Sequence, residues 1–338
     1  MHSIRYLVLL LTTRCNLRCK YCYCPPQAVQ LDMSFSTMKQ TVDIAASHGK
    51  HFHVQLTGGE PCLNRDLIFQ SIQYIRKNAP QATIAIQTNA TLLDDELIIF
   101  LKNNLVQVGV SIDGPPEIHN KTRGKFKELF SGLELLDNHC VPWQVTTVVT
   151  SENIIQLWRL VVLLSRFSTV RGIGLDFLTL KRNAVINSII PVTSEMIEIG
   201  INRFLDTLKI CNVSRKHKIN FREADMLFKS SSFQRSAFCH ACKGQSLAVY
   251  PDGTVYPCSQ LAGERVFCAG NVNDSIDFSR LCLQEAELKT DNCLSCVLNT
   301  RCPGDCPSRF LFNGKDVSEN ICMLYQIIYR YQQKETFV

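Results

Sequence analysis

The amino-acid sequence predicts an α/β protein in which a parallel sheet, flanked by helices, precedes a small cysteine-rich domain. The chain has 338 residues, enough for one large domain and one smaller one. Up to about residue 180, six short apolar runs alternate with longer amphipathic stretches. This order builds a parallel sheet through right-handed crossovers. After Phe238 the composition changes, and ten of the 17 cysteines lie in this last part.

The apolar runs are rich in β-branched and other apolar residues, as buried parallel strands are. In chain order, the predicted strands are residues 6–11, 53–56, 83–87, 107–112, 144–149 and 172–178. The predicted helices between them are residues 36–47, 66–77, 94–103, 125–139 and 154–167. Several of these helices begin at Ser, Asp or Asn, whose side chains can cap the first turn.

Charge and hydropathy exclude several classes of partner. The net charge is +6 and the mean hydropathy is +0.01, as in an ordinary soluble protein. No apolar run approaches the roughly 20 residues that a membrane span needs. Lys and Arg are scattered and form no stripe of the nucleic-acid-binding type. We therefore expect a cytoplasmic protein with no membrane or nucleic-acid partner, although the positive charge permits an acidic peptide.

The high cysteine count has two explanations, disulfides or metal ligation. Disulfide scaffolds are usually small secreted chains. Here the chain is large, and its first apolar run is too short for the core of a signal peptide. The sequence therefore favours metal ligation in a reducing compartment.

The first cysteine cluster follows the first predicted strand directly. Cys15, Cys19 and Cys22 are spaced C-x3-C-x2-C. Three thiolates can hold three irons of a four-iron cluster and leave the fourth iron open, whereas electron carriers usually supply four cysteines. This segment resembles the signature of the radical S-adenosylmethionine (radical SAM) enzymes. In that family the open iron chelates the amino and carboxylate groups of S-adenosylmethionine, and a 5′-deoxyadenosyl radical abstracts a hydrogen atom from the substrate.

The resemblance implies a partial (β/α)6 barrel, an open relative of the TIM barrel, with the chemistry at the carboxyl ends of its strands. It places Tyr21 close to the adenine. It also assigns Gly58, Gly59 and Glu60, after the second strand, to the methionine amino group. Without the family context, a Gly-Gly-Glu segment is more often only a turn.

Two further strand ends carry candidate ligands of S-adenosylmethionine. Asn89 ends the third strand and Ser111 the fourth, with Arg123 twelve residues beyond Ser111. A hydroxyl and a guanidinium suit a carboxylate, and the resemblance to anaerobic sulfatase maturases gives Ser111 and Arg123 this role. Asp113 either contacts the ribose or caps the turn. The glycines at 172 and 174 either flank the adenine or reflect tight packing.

The cysteine-rich tail contains C-x2-C pairs that would ordinarily suggest a zinc ribbon. The complete pattern instead resembles the SPASM domain, which carries two auxiliary 4Fe–4S clusters. The resemblance implies three clusters in total and two tail ligand sets. The first set is Cys239, Cys242, Cys258 and Cys306. The second set is Cys293, Cys296, Cys302 and Cys322. Without Cys239, the first auxiliary cluster would keep an open iron.

Six cysteines remain outside these sets: Cys24, Cys62, Cys140, Cys211, Cys268 and Cys282. Free cysteines usually pack as small apolar groups, although one of them could donate a hydrogen atom to a substrate radical. The resemblance divides the chain into a barrel (residues 1–184), a helical bridge (185–237) and a SPASM domain with two auxiliary clusters (238–338).

The resemblance leaves three functions open. The first is an oxidoreductase-type peptide maturase that forms a thioether or carbon–carbon crosslink in a ribosomally made precursor peptide, or epimerises it. Its partners would be that peptide and an electron donor of the flavodoxin or ferredoxin type. The second is a formylglycine-generating sulfatase maturase, which Ser259 disfavours because those enzymes have a catalytic Asp at this position. The third is a non-catalytic iron–sulfur or zinc-binding protein.

Overall fold

Nine strands form one sheet in the computed structural model, which describes residues 3–24, 30–228, 237–283, 293, 295–314 and 319–336. The strands are β1 (Tyr6–Leu10), β2 (His53–Thr57), β3 (Thr83–Thr88), β4 (Gln107–Ser111), β5 (Trp143–Val149), β6 (Val170–Phe177), β7 (Asn220–Phe221), β8 (Ser246–Val249) and β9 (Val255–Tyr256). Their order in the sheet is β7-β6-β5-β4-β3-β2-β1-β8-β9. All neighbours are parallel except β8 and β9.

Helices connect the strands and cover the outside of the sheet. They are α1 (Phe35–Ala46), α2 (Arg65–Asn78), α3 (Asp95–Asn103), α4 (Pro116–Thr122), α5 (Phe126–Asn138), α6 (Leu157–Ser165), α7 (Asn183–Ile186), α8 (Ser194–Val213), α9 (Arg222–Phe228), α10 (Pro307–Asn313) and α11 (Glu319–Thr336). Side-chain caps start several of them. Ser34 accepts a hydrogen bond from the N–H of Thr37, and Asp94 from that of Leu97.

The predicted α/β class and its alternation of strands and helices are confirmed. All six predicted strands and all five predicted helices are present, with ends shifted by a few residues. The predicted helical bridge contains α8 and α9, and its residues 229–236 lie outside the described part of the chain. Sequence reasoning missed β7, β8 and β9, because strands of two to four residues are too short for a periodic signal.

The sheet forms a partial barrel, and β1 lies in the interior of the sheet rather than at its edge. β1 pairs with β2 on one side and with β8 on the other, in a register that places Tyr6 opposite Ser246. β8 belongs to the cysteine-rich part of the chain, so the tail contributes directly to the sheet of the barrel. No helix among the described residues is long and apolar enough to cross a membrane.

Candidate active site

One cavity of about 1360 Å³ extends through the barrel, and residues at both ends of the strands line it. Most of the residues that the sequence assigns to S-adenosylmethionine or its cluster line this cavity. They are Cys15, Cys19, Tyr21, Cys22, Gly58, Gly59, Glu60, Asn89, Ser111 and Arg123. The fold thus brings together residues from four separate strand ends.

The three-cysteine loop is held by hydrogen bonds from neighbouring loops. The amide of Lys20 donates to the carbonyl of Thr122 at 2.9 Å. Asn89 donates to the side-chain oxygen of Asn16 at 2.9 Å, and Asn16 donates to Thr91 at 2.7 Å. Asn89 is predicted to bind the cofactor. In the structure its side-chain amide donates to Asn16 and so helps to position the cysteine loop.

The two glycines after β2 lie against the backbone that leads into the cysteine loop. Gly58 has a φ of +144°, and a Cβ there would overlap the carbonyl oxygen of Thr12. A Cβ on Gly59 would overlap the carbonyl oxygen of Arg14. The amide of Gly59 also donates to Thr12 at 2.8 Å. These positions require glycine because two loops approach closely, a reason independent of any ligand.

Glu60 is buried, and both of its carboxylate oxygens accept hydrogen bonds within the protein. Oε1 accepts from the Thr88 hydroxyl at 2.6 Å and from the amide of Cys62 at 3.2 Å, while Oε2 accepts from the amide of Asn89 at 2.8 Å. Burial raises the pKa of Glu60 despite these bonds. Its side chain thus joins the ends of β2 and β3, a role that the sequence analysis did not give it.

Ser111 and Arg123 face the cavity together. The Ser111 hydroxyl accepts a hydrogen bond from Gln87 Nε2 at 3.0 Å, and its own proton has no acceptor among the described residues. Arg123 Nε lies 3.0 Å from Asp113 Oδ2, close enough for an ion pair but without hydrogen-bond alignment. A hydroxyl proton and a guanidinium are thereby presented to the same space.

Asp113 lies behind these groups and is fully buried. Its carboxylate accepts hydrogen bonds from the Tyr21 hydroxyl, the Thr122 hydroxyl (3.0 Å) and the amide of Val148 (3.2 Å). Arg123 also stacks over the Tyr21 ring, 5.3 Å from its centre. Asp113 therefore orients Tyr21 and Arg123, and the two roles suggested by the sequence stay predictions.

Burial dominates the chemistry of the loop thiols. It raises the pKa of Cys15 to about 11 and that of Cys19 to about 12. A hydrogen bond from the Cys24 thiol lowers the pKa of Cys22 to about 6. Cys24, interpreted from sequence as a packing residue, lines the cavity beside Cys22. Iron is ligated by thiolates, so metal binding would displace protons from Cys15 and Cys19 at neutral pH.

Some tail thiols of each predicted set are neighbours in the structure, and their assignment to two clusters stays a prediction. Cys239 Sγ lies 3.7 Å from Cys242 Sγ. Burial, together with the neighbouring thiols Cys306 and Cys239, raises the pKa of Cys258 to about 12. For Cys322, burial and the neighbouring thiols of the second set raise the pKa to about 11. Within the described ranges, no three His, Cys, Asp or Glu side chains converge on the position of a single metal ion.

Sequence reasoning missed several polar residues of the cavity. Asp176 on β6 and Arg222 on α9 form an ion pair in its wall. A Cβ at residue 174 would meet the Arg222 guanidinium at 2.6 Å, so this glycine makes room for an arginine, in agreement with the packing alternative. Gln260, two residues after Cys258, also lines the cavity. Only the glycine in the strand was a sequence signal for this arrangement.

Comparison with known proteins places this site in a family. The model of the radical SAM superfamily matches residues 9–164. An uncharacterized protein of Methanocaldococcus jannaschii is 32% identical over 280 residues, which cover 80% of this chain and 90% of that protein. A cysteine-type anaerobic sulfatase-maturating enzyme of Clostridium perfringens is 26% identical over 296 residues, which cover 81% of this chain and 79% of that enzyme.

Solved structures share the fold, among them two that contain a bound peptide. The anSMEcpe structure with bound AdoMet and the Cp18Cys peptide has a TM-score of 0.78 and 21% identity, covering 98% of this chain and 97% of that one. Streptococcus suis SuiB bound to its precursor peptide SuiA has a TM-score of 0.69 and 14% identity, covering 92% and 73%. The matched segment contains the three-cysteine loop and the Gly-Gly-Glu segment on the cavity wall, and we conclude that the chain belongs to the radical SAM superfamily.

Proposed function

We propose that this protein is a radical SAM enzyme with two auxiliary 4Fe–4S clusters that oxidatively modifies a ribosomally made peptide by forming a thioether or carbon–carbon crosslink. The observation that carries the proposal is the shared cavity. The three loop thiols, Ser111 and Arg123 line it together with Gln260, which follows the tail ligand candidate Cys258 by two residues. Barrel and tail thereby meet at one reaction space.

The residues of the chain have distinct roles in this proposal. Cys15, Cys19 and Cys22 hold the cluster of the barrel, and the two tail sets hold the auxiliary clusters. When bound there, the barrel cluster and S-adenosylmethionine would supply the radical chemistry that removes a hydrogen atom from the substrate. Ser111 and Arg123 bind the methionine carboxylate through a hydroxyl proton and a guanidinium. Glu60 and Asp113 hold the surrounding strand ends in place.

A peptide substrate is supported by the relatives and by the size of the cavity. SuiB and anSMEcpe were both solved with peptides bound. A cavity of about 1360 Å³ exceeds the usual upper range for small-molecule sites, roughly 1,000 Å³. The cluster and S-adenosylmethionine would fill part of this volume, and the lining continues to Leu105 and Pro142 at the opposite ends of the strands.

Formylglycine formation is the second candidate, favoured by the sequence relation to the Clostridium perfringens maturase. Ser259 weighs against it. The Ser259 hydroxyl hydrogen-bonds to Tyr23, and a serine is a poor general base compared with the aspartate expected there. A hydroxylamine-type aldehyde probe separates the two functions, because it labels a formylglycine product but not a crosslinked peptide.

Iron content tests the number of clusters. After anaerobic reconstitution, we expect about 11–12 irons per chain, as three four-iron clusters require. An iron content of about four with stoichiometric zinc would contradict the auxiliary clusters. The peptide assignment is tested with short cysteine-rich peptides encoded beside the gene, whose modification is read by tandem mass spectrometry.

The role of the three-cysteine loop is tested by Cys19→Ala. We expect the variant to lose production of 5′-deoxyadenosine, measured by liquid chromatography, while keeping the iron of the two tail clusters. Cys211→Ala, a cysteine on α8 outside all three sets, serves as the control and should behave as the native enzyme. Undiminished cleavage of S-adenosylmethionine in Cys19→Ala would refute the assignment of the loop.

A further inference from the structure

A charged pair in the wall of the cavity has no role in the chemistry described so far. Asp176 Oδ1 lies 2.8 Å from Arg222 Nη2, and both residues line the cavity. Their side chains remain 40% and 43% exposed, respectively. Since the pair faces the cavity, this exposed surface is open to a molecule inside the barrel.

The surrounding structure holds the guanidinium in one position. Arg222 Nε and Nη2 donate to Glu223 Oε1 at 2.8 and 2.5 Å, and Nη2 also donates to the carbonyl of Leu175 at 3.0 Å. The flat face of the group rests against Gly174. The remaining nitrogen, Nη1, makes no hydrogen bond to any described residue. Arg222 Nη1 is thus the one guanidinium nitrogen without an acceptor among the described residues.

Asp176 is an acceptor held in its charged form. Burial disfavours its ionisation, but the neighbouring arginines 222 and 309 outweigh this effect, and the pKa lies below the usual range. Only one of its oxygens, Oδ1, has a hydrogen-bond partner among the described residues. The cavity wall therefore presents an N–H donor and a carboxylate oxygen that no described residue occupies.

We propose that Asp176 and Arg222 form a substrate subsite that binds an amide group, with Asp176 accepting its N–H and Arg222 Nη1 donating to its C=O. A peptide bond or the side chain of Asn or Gln has this pairing of donor and acceptor. An isolated carboxylate would be repelled by the negative charge of Asp176. An isolated cation would be repelled by the positive charge of Arg222. The subsite deepens the proposed function, on whose peptide substrate it rests.

The test uses the anaerobic holoenzyme with S-adenosylmethionine bound and N-acetylalanine methylamide as the probe. Binding is followed by ligand-observed NMR titration, and acetate and methylguanidinium are titrated as comparison ligands. We expect the amide to bind with millimolar affinity and more tightly than either ion. Asp176→Asn, of nearly the same shape, and Arg222→Lys should each weaken amide binding about tenfold, as expected for a lost hydrogen bond to a charged group.

Glu198→Gln is the matched control, since Glu198 pairs with Arg330 at 2.8 Å on the outer surface. It should bind the probe as the native enzyme does. Unchanged amide binding in Asp176→Asn, or no amide binding by the native enzyme, would overturn the subsite. A comparable loss of affinity for S-adenosylmethionine in Asp176→Asn would assign the pair to the cofactor and also overturn it. Production of 5′-deoxyadenosine by the native enzyme tests the proposed function separately.

Discussion

At the scale of single residues, buried carboxylates organise the site. Glu60 and Asp113 have almost no contact with solvent, yet each accepts hydrogen bonds from segments distant in sequence. An ionised group is costly to bury unless such donors compensate it. These two residues therefore fix the relative positions of strand ends, on which the geometry of Tyr21 and Arg123 depends.

His119 on α4 gives the site region a dependence on pH. Burial and the charge of Arg123 lower the pKa of His119 to about 4, from an ordinary value of 6.5. Below pH 6.5 His119 binds a proton in the unfolded chain but stays neutral in the folded protein. The free energy of unfolding therefore falls as the pH falls towards 4. Between pH 7 and pH 5 we expect this residue to cost about 2 kcal/mol in the free energy of unfolding.

The measurement compares urea unfolding of the native protein and His119→Gln at both pH values. Gln cannot titrate, so the variant should lose about 2 kcal/mol less than the native protein on acidification. His217→Gln, at an exposed position, should leave the pH dependence unchanged. Equal acid destabilisation of the native protein and His119→Gln would contradict the argument.

At the scale of elements, the part of the fold with long periodic segments was predictable from sequence. Runs such as β3 and β5 are largely buried and rich in β-branched residues, and the helix that follows β3 begins at the Asp94 cap and has an apolar face. β8 was not predictable, because the four residues Ser-Leu-Ala-Val lie between turns in a cysteine-rich stretch and their pairing depends on β1. Long-range pairing of this kind leaves no local signal.

The candidate site shows the same division. Cysteine spacing and Gly-Gly-Glu identified loops that line the cavity, because backbone geometry and metal ligation constrain residue type strongly. Asp176 and Arg222 were missed, because an Asp–Arg pair is common on protein surfaces and only the fold shows that this pair faces inward. Asn89 was identified, but its contact with Asn16 was not predicted.

The pairing of β8 with β1 predicts that a change in the tail destabilises the barrel. Leu247 on β8 is fully buried in the main core. Leu247→Ala should lower the free energy of unfolding by about 2–5 kcal/mol through lost burial and the cavity left behind. The intrinsic fluorescence of Trp143 and Trp158, both in the barrel, reports this change during urea unfolding.

Val297→Ala is the control in the tail, because this side chain is 71% exposed. It should shift the transition by no more than about 0.5 kcal/mol. An unchanged tryptophan transition in Leu247→Ala, with loss of tail structure alone, would show that the tail folds independently of the barrel.

At the scale of the whole molecule, a buried lysine joins the barrel to the tail. Lys181, which follows β6, donates to the carbonyl of Gln260 at 2.7 Å and lies 3.1 Å from Glu264. Its ammonium also lies 4.8 Å from the centre of the Phe312 ring. One cation thus contacts three residues in two segments of the tail, next to the wall of the cavity.

Lys181→Met keeps most of the apolar stem and removes the charge. We expect a loss of roughly 1.5–3 kcal/mol in the free energy of unfolding, the range for hydrogen bonds to charged groups. Limited proteolysis with chymotrypsin should also release the tail faster. Lys216→Met, at an exposed position, should match the native protein in both measurements. Native-like proteolysis of Lys181→Met would mean that other contacts hold the tail.

The pairing of Tyr6 with Ser246 also affects the order of events during synthesis. About 240 residues separate the two strands, so β1 leaves the ribosome long before its second neighbour exists. At a synthesis rate of about 5–20 residues per second, one edge of β1 stays unpaired for roughly 12–50 s. Unpaired strand edges invite aggregation. During this interval we expect the nascent chain to need a chaperone that shields this edge of β1 until β8 is synthesised.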